Sequence, residues 1–313
     1  MRILVLGAGG IGGMVGGRLA QHGADVTFLV RAARQRQLEA EGLRIESPFG
    51  DAALKVASRQ QSQVGPEFDL VLLACKAYDL DSAIEAIRPA MAGQACVLPI
   101  LNGLAHIERL NGTFGRQRVL GGTIKMQVTL TPGGIVRQLS DWQTLTFGEQ
   151  DGALSDRVRA FDALLRGTGI ESRPSKDVMH EMWMKMVHLS TVAGMTCLMR
   201  ANVGEIVRTP EGTALLQRFL RANAEIAARA GHRPGEAFLK NYLDLFTQPD
   251  SKYEASMLRD LERGGRIESE QIIGDMLRQC RKFGLDDCLH VAAYTHVKAF
   301  EERRDAGRLP KQA

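Results

Sequence analysis

The stretch from Glu181 to Met199, EMWMKMVHLSTVAGMTCLM, is almost wholly apolar and contains one side chain with a fixed positive charge, Lys185. On an α-helix Lys185 shares a face with Met182, His188, Leu189 and Val192, so the helix is either mostly buried or lines a cleft with that face. A lysine in such a run can thread its ammonium out to solvent. Alternatively the ammonium is desolvated, its pKa falls, and it serves as a proton donor near neutral pH. Periodicity does not choose between the two.

A second pattern with chemical meaning opens the chain. Ile3 to Leu6 is too short for a helix and ends in Gly7-Ala8-Gly9-Gly10-Ile11-Gly12, after which Met14, Val15 and Leu19 recur at helical spacing. That order is strand, glycine loop, helix. Gly7 permits the tight turn, Gly9 lets the backbone approach a pyrophosphate, and Gly12 lets the helix lie close to the strand. Amide donors at the helix start, those of Gly10 and Ile11 among them, face the anion. A second strand at Val26 to Val30 follows, and together these predict a dinucleotide site; the alternative is a glycine-rich turn in another α/β protein. Where a carboxylate would accept from a ribose 2′-hydroxyl the chain has Arg31, whose guanidinium can fork onto a 2′-phosphate. NADP(H) is therefore the expected cofactor, with Arg34 as a second contact, unless both arginines simply open a solvated helix.

The elements around these residues alternate in the manner of a doubly wound, Rossmann-type parallel sheet. Phe68 to Cys75 reads as a strand, Leu80 to Ile87 as a helix and Ala95 to Leu101 as a strand. Ligands of such sheets bind beyond the carboxyl ends of the strands, where Lys76 and Asn102 fall. The plainer readings are a solvated strand cap for Lys76 and a turn for Asn102-Gly103. Val119 to Gly122, Ile135 to Leu139 and Leu145 to Gly148 read as shorter strands joined by a Pro132-Gly133-Gly134 turn, with mixed closure of the sheet. Asp156 to Leu165 is the last helix of this half, and Ser172-Arg173-Pro174-Ser175 reads as a linker. The expected division is a Rossmann domain over 1–173 and an all-helical domain over 174–313.

From Asp177 onward helical periodicity replaces strand signals. Asp177 is placed to cap the opening helix, and Pro210-Glu211 to begin another that runs to Ala230 and stops at Gly231. Pro234 to Phe246, Ser256 to Arg263, Glu268 to Phe283 and His290 to Arg303 supply further helices, and the tail after Arg304 is expected to fray. A helical domain next to a dinucleotide fold is expected to leave a cleft for a small substrate. The helices are apolar enough for a homodimer, though one core explains them equally.

Composition narrows the class. With 44% hydrophobic and 24% charged residues the chain is ordinary for a soluble enzyme-sized protein. A net charge of +4 is spread among acidic neighbours without a basic stripe, which argues against a nucleic-acid partner. No run has the apolar length of a membrane span. Five cysteines without a CxxC pair, mostly within apolar runs, fit a reducing cytoplasm and give no metal-ligand pattern.

The glycine loop, Arg31, CKAYD (75–79), NG (102–103), EMWMK (181–185) and SMLRDLERGGRIE (256–268) occur in an order and spacing that resembles the ketopantoate reductase (2-dehydropantoate 2-reductase) family over nearly the whole chain. WxK, SMLxD and a glutamate twelve residues after that serine make the resemblance specific. It implies an enzyme in which NADPH reduces a 2-oxo acid, ketopantoate to pantoate in pantothenate biosynthesis. By that resemblance Lys185 is the general acid, Glu268 holds the lysine or the nicotinamide ribose, and Ser256 bonds the substrate's carboxylate or hydroxyl. Lys76 and Asn102 contact cofactor, with Asn102 near the nicotinamide and substrate, and Asp260 orients its helix and loop. Read without the resemblance, Ser256 is a helix cap, and Asp260 and Glu268 lie on solvated helix faces.

The chain also departs from that pattern. Leu189 and Ala193 stand where the family carries asparagines one and two turns after the lysine, and Ile273 replaces an asparagine after the glutamate. Such exchanges should weaken binding of a hydroxylated substrate, because polar groups of the substrate lose partners. His188, Thr191 or Thr196 are candidates to compensate; His188 as a satisfied core histidine is the alternative. Two rivals follow: a reductase of a less polar 2-oxo acid or other carbonyl compound, and an NADP(H)-binding protein without turnover. Retention of Lys185, Ser256 and Glu268 speaks against the second.

Overall fold

Ile3, Leu4 and Val5 are fully buried, as a strand covered on both faces requires. They form the centre of the N-terminal of two units, Met1–Met182 and Trp183 onward, in a computed structural model that describes residues 1–309. The tail expected after Arg304 falls partly at 310–313, outside the described residues.

In chain order the N-terminal unit contains β1 (Arg2–Leu6), α1 (Gly10–Gln21), β2 (Asp25–Leu29), α2 (Ala32–Glu41), β3 (Leu43–Glu46), β4 (Ala52–Leu54), β5 (Ala57–Arg59), β6 (Leu70–Leu73), α3 (Leu80–Met91), β7 (Cys96–Pro99), α4 (Ala105–Phe114), β8 (Leu120–Lys125), β9 (Val128–Leu130), β10 (Val136–Gln138), β11 (Thr144–Glu149), α5 (Asp156–Leu165) and β12 (Glu171–Pro174). Five parallel strands run β5-β2-β1-β6-β7, with Ile3 opposite Val26 on one side and Leu70 on the other. This is the expected doubly wound sheet. A second sheet, β4-β3-β10-β9, lies across α1, which is therefore packed on two sides: a Cβ at Gly16 would meet Phe28 and Val5, one at Gly17 would meet Ile45 and Leu43.

Two expectations are corrected here. The Pro132–Gly134 turn does not lead from β8; it closes an antiparallel hairpin of β9 and β10, in which Leu130 faces Val136. β8 pairs instead with β11 in a third sheet, β12-β11-β8, joined to the first by a single bridge, Val97 to Val119. Residues 172–174, read as linker, belong to β12, which pairs parallel with β11. Its polar residues lie at a sheet edge, where backbone bonds rather than side-chain burial hold the strand, and Pro174 is tolerated at its end.

The remaining helices are α6 (Val178–Met199), α7 (Val203–Val207), α8 (Gly212–Arg229), α9 (Glu236–Leu245), α10 (Ser256–Glu262), α11 (Asp275–Lys282) and α12 (Cys288–Asp305). The boundary between the units falls inside α6. Asp177 caps this helix as expected, its Oδ1 accepting from the His180 amide at 3.2 Å. Asn202 and Glu205 form a reciprocal capping box at α7, and a π-helical turn, Glu270–Gly274, precedes α11. No helix among the described residues is long and apolar enough to cross a membrane.

Candidate functional site

In the N-terminal unit the glycine loop, Arg31, Lys76 and Asn102 follow the carboxyl ends of β1, β2, β6 and β7. The chain runs outward from β1 to β5 on one side and from β6 to β7 on the other, so the switch point lies between β1 and β6, where ligands of such sheets bind. Gly7 adopts φ +92°, and its amide donates to Leu29 O at 3.0 Å, pinning the loop to β2. At Gly12 a Cβ would stand 2.1 Å from Gly7 O, so a side chain there would push α1 off the loop. A Cβ on Gly9 would meet nothing within 4 Å among the described residues, which leaves the loop open on the side a phosphate would approach.

The first intrahelical bond of α1 runs from Gly13 N to Gly9 O at 2.8 Å, so the amides of Gly10, Ile11 and Gly12 precede any helical acceptor. The first turn has no acidic side chain to compete with an anion. This donor set fits the pyrophosphate of a dinucleotide.

Arg31 is exposed at the N-cap of α2, and Lys76 is exposed where its carbonyl accepts from the Asp79 amide at 2.9 Å. Asn102 is half-buried after β7, before Gly103 at φ +88°. Arg34 differs from expectation. Its guanidinium turns back onto the protein and donates to Ala8 O, Gly134 O and Gln37 Oε1.

From Trp183 onward, in the helical unit, α6 is buried except along one stripe and at its last turn. Between Trp183 and Leu198 every residue is buried apart from Lys185, His188, Leu189 and Leu198. Lys185 is half-buried, one turn from His188 and Leu189. Of the two positions where asparagine was expected, Leu189 lies on this stripe, whereas Ala193 is fully buried. Ile273 is likewise in the core, at the π-helical turn.

His188 is set in an aromatic frame. Its Nε2 lies 2.8 Å from the Tyr253 hydroxyl, and its ring stacks on Tyr242 with centroids 4.3 Å apart. Thr191 and Thr196 do not compensate for missing asparagines: both are fully buried and donate at 2.7 Å to carbonyls of their own helix, Val187 O and Val192 O. Ser256 is exposed as the first residue of α10, with Ala255 and not Ser256 in the cap position. Asp260 is half-buried and its carbonyl accepts from the Gly265 amide at 2.8 Å. Glu268 is buried, two residues before the π-helical turn. Ser269 and Glu270, directly after it, are tied to α12: Ser269 Oγ donates to Glu301 at 2.6 Å and Tyr294 Oη to Glu270 at 2.5 Å.

Tyr242, Tyr253 and the α12 anchors were not read from the sequence. They lie many residues from His188 and Glu268 and carry no periodic signal that would connect them.

Residues 3–152 match the family described as Ketopantoate reductase PanE/ApbA, and residues 177–301 match its C-terminal counterpart. The "Uncharacterized oxidoreductase YkpB" of Bacillus subtilis is 30% identical over 97% of this chain and 100% of its own length. A crystal structure of 2-dehydropantoate 2-reductase from Methylococcus capsulatus superposes with a TM-score of 0.86 at 25% identity, covering 97% of this chain and 98% of that one. A ternary structure of D-mandelate dehydrogenase with NADH and anilino(oxo)acetate shares the fold to the same TM-score of 0.86 at 21% identity, covering 97% of this chain and 100% of that one.

The fold and the glycine loop fit a dinucleotide-binding protein, and the family match makes it an oxidoreductase that acts on CH–OH groups. The chain belongs to the ketopantoate reductase PanE/ApbA family, whose cofactor is NADPH.

Proposed function

We propose that the chain catalyses NADPH-dependent reduction of the C2 carbonyl of a 2-oxo acid to the 2-hydroxy acid, with ketopantoate to pantoate, a step of pantothenate biosynthesis, as the first candidate reaction. The observation that supports this most is the placement of Lys185 on the half-buried stripe of a helix otherwise buried from Trp183 to Cys197, in a chain whose glycine loop fits a dinucleotide. When bound, NADPH supplies the hydride that adds to C2. Lys185 Nζ donates a proton to the carbonyl oxygen and regains one from solvent, so that the net consumption is one hydride and one proton. Glu268 orients the lysine or the nicotinamide ribose; Ser256 and Asn102 bind substrate oxygens. Gly7, Gly9, Gly10, Ile11, Gly12, Arg31 and Lys76 hold the dinucleotide, Arg31 through the 2′-phosphate. Five free thiols suit a reducing cytoplasm.

A second substrate reading rests on Leu189. It lies on the stripe of Lys185, beside a histidine framed by tyrosines, and an apolar side chain there favours a 2-oxo acid with an apolar substituent over a hydroxylated one. NADPH oxidation measured across ketopantoate and a series of apolar 2-oxo acids separates the two. Highest kcat/KM with ketopantoate supports the first reading, and highest kcat/KM with an apolar acid supports the second. No turnover with any of them would overturn both in favour of a binding protein.

A further inference from the structure

From the third position of α2, Arg34 reaches back to the glycine loop. Its Nε and Nη2 donate to Ala8 O at 3.2 and 2.9 Å, while Nη1 donates to Gly134 O at 2.9 Å and to Gln37 Oε1 at 2.7 Å. The guanidinium thus bridges the loop after β1 and the turn between β9 and β10, which lies 100 residues from Arg34 in sequence. The turn is gripped from the same side by two other side chains, Gln37 Nε2 and Arg44 Nη2, which donate to Gly133 O at 3.1 and 3.2 Å. Gly134 has φ +75°, a conformation that favours glycine, and a Cβ there would stand 2.1 Å from Gln37 Nε2 and displace that carboxamide from the turn. The hairpin behind the turn also backs the loop: a Cβ on Gly10 would lie 3.2 Å from Val128 O, and one on Gly13 2.7 Å from Val136 Cγ2.

A guanidinium has five N–H donors in a fixed plane, and these bonds engage four of Arg34's. A bidentate grip on a phosphate needs two. Arg31, exposed at the start of the same helix, has no such bond to the protein among those described.

We propose that Arg34 is a positioning residue of the nucleotide site: it ties Ala8 to the β9–β10 turn and so holds the glycine loop in its phosphate-receiving shape, leaving Arg31 to discriminate the 2′-phosphate. This rests on the reading of the N-terminal unit as an NADP(H) site. A residue that shapes the pyrophosphate loop affects both nucleotides alike, whereas a 2′-phosphate contact affects NADPH only.

The test is the Kd for NADPH and for NADH, from nucleotide fluorescence, with Tm measured in parallel, for the wild type, Arg34→Ala, Arg34→Lys, Gly134→Ala and Arg31→Ala. Arg34→Ala should weaken both nucleotides by the same factor, about tenfold, as expected for loss of charge-assisted bonds to the loop. Arg34→Lys should restore part of that affinity, since an ammonium reaches one carbonyl but cannot fork. Gly134→Ala should reproduce the common loss from the other end of the tie, and Arg31→Ala should weaken NADPH alone. A loss confined to NADPH in Arg34→Ala would make it a phosphate contact and overturn the proposal. A lowered Tm with both Kd values unchanged would overturn it equally, leaving a purely structural bond. If Arg34→Ala does not fold, Arg34→Lys and Gly134→Ala carry the same comparison with the same overturning results. A wild type that bound neither nucleotide would instead sink the cofactor reading beneath it.

Discussion

The Tyr253 hydroxyl lies 2.8 Å from His188 Nε2, and the same imidazole stacks on Tyr242, with ring planes 19° apart. Burial pushes the pKa of both phenols upward, so both remain protonated well above neutral pH and Tyr253 keeps its donor. The histidine one turn from Lys185 is therefore a fixed wall of the stripe. Tyr253→Phe keeps the ring and removes the bond; it should lower unfolding free energy by about 0.5–1.5 kcal/mol in urea titration. An unchanged midpoint would show that this bond does not hold the frame.

Lys185 provides the direct test of the chemistry. Lys185→Ala should lower kcat by roughly 10²–10⁴-fold with the 2-oxo acid the enzyme prefers, the range of general acid catalysis. NADPH affinity should stay nearly constant, because the dinucleotide contacts proposed above lie mainly in the glycine loop and at Arg31. A kcat equal to wild type would remove the lysine from the mechanism.

A different dependence on pH follows from His290. Asn223 donates through Nδ2 to Thr191 Oγ1 and Phe219 O, which leaves its Oδ1 to accept from His290 Nε2 at 3.1 Å. His290 Nδ1 is then unprotonated, and it has no hydrogen-bond partner among the described residues. Burial pushes this histidine's pKa down from 6.5 to about 4. The unfolded chain takes up the proton first, so stability is complete above about pH 6.5 and falls as the pH drops towards 4, by at most about 3 kcal/mol. Urea unfolding at pH 7.5 and at pH 4.5 measures the loss; His290→Gln should show a smaller difference between the two, and an equal one would assign the slope to other groups.

How much of this was readable in the sequence depended on where each signal resides. β1, the glycine loop, α1 and the parallel strands announce themselves through buried apolar runs and local glycine chemistry, and the Lys185 stripe through helical spacing. The second sheet does not: β3, β4 and β9 are three or four residues long, too short for alternation to register. β12 reads as linker in the sequence because an exposed edge strand can be written in Ser, Arg and Pro. α2 buries only Gln35 and Leu38, so it has little periodicity to detect. Arg34 is readable as a cation close to the expected cofactor site, but its acceptors, Ala8 and Gly134, are brought to it by the tertiary fold. The same holds for Tyr242 and Tyr253 around His188.

Leu189 and Ala193 look equivalent in the sequence, as two apolar replacements one turn apart, and the fold separates them. Leu189 is half-buried on the stripe with Lys185, whereas Ala193 is fully buried. Leu189→Asn should be tolerated and should shift kcat/KM towards ketopantoate relative to apolar 2-oxo acids, by about 10-fold if the new amide bonds a substrate hydroxyl. Ala193→Asn should act on stability instead, because a larger, polar side chain would enter a filled core; leaving such an amide without partners costs about 1–3 kcal/mol, and overpacking adds to that. Steady-state kinetics and urea unfolding on both variants check the contrast. If Leu189→Asn left the substrate ratio unchanged, the stripe beside Lys185 would not be what reads the 2-oxo acid's side chain, and the second substrate reading would lose its support.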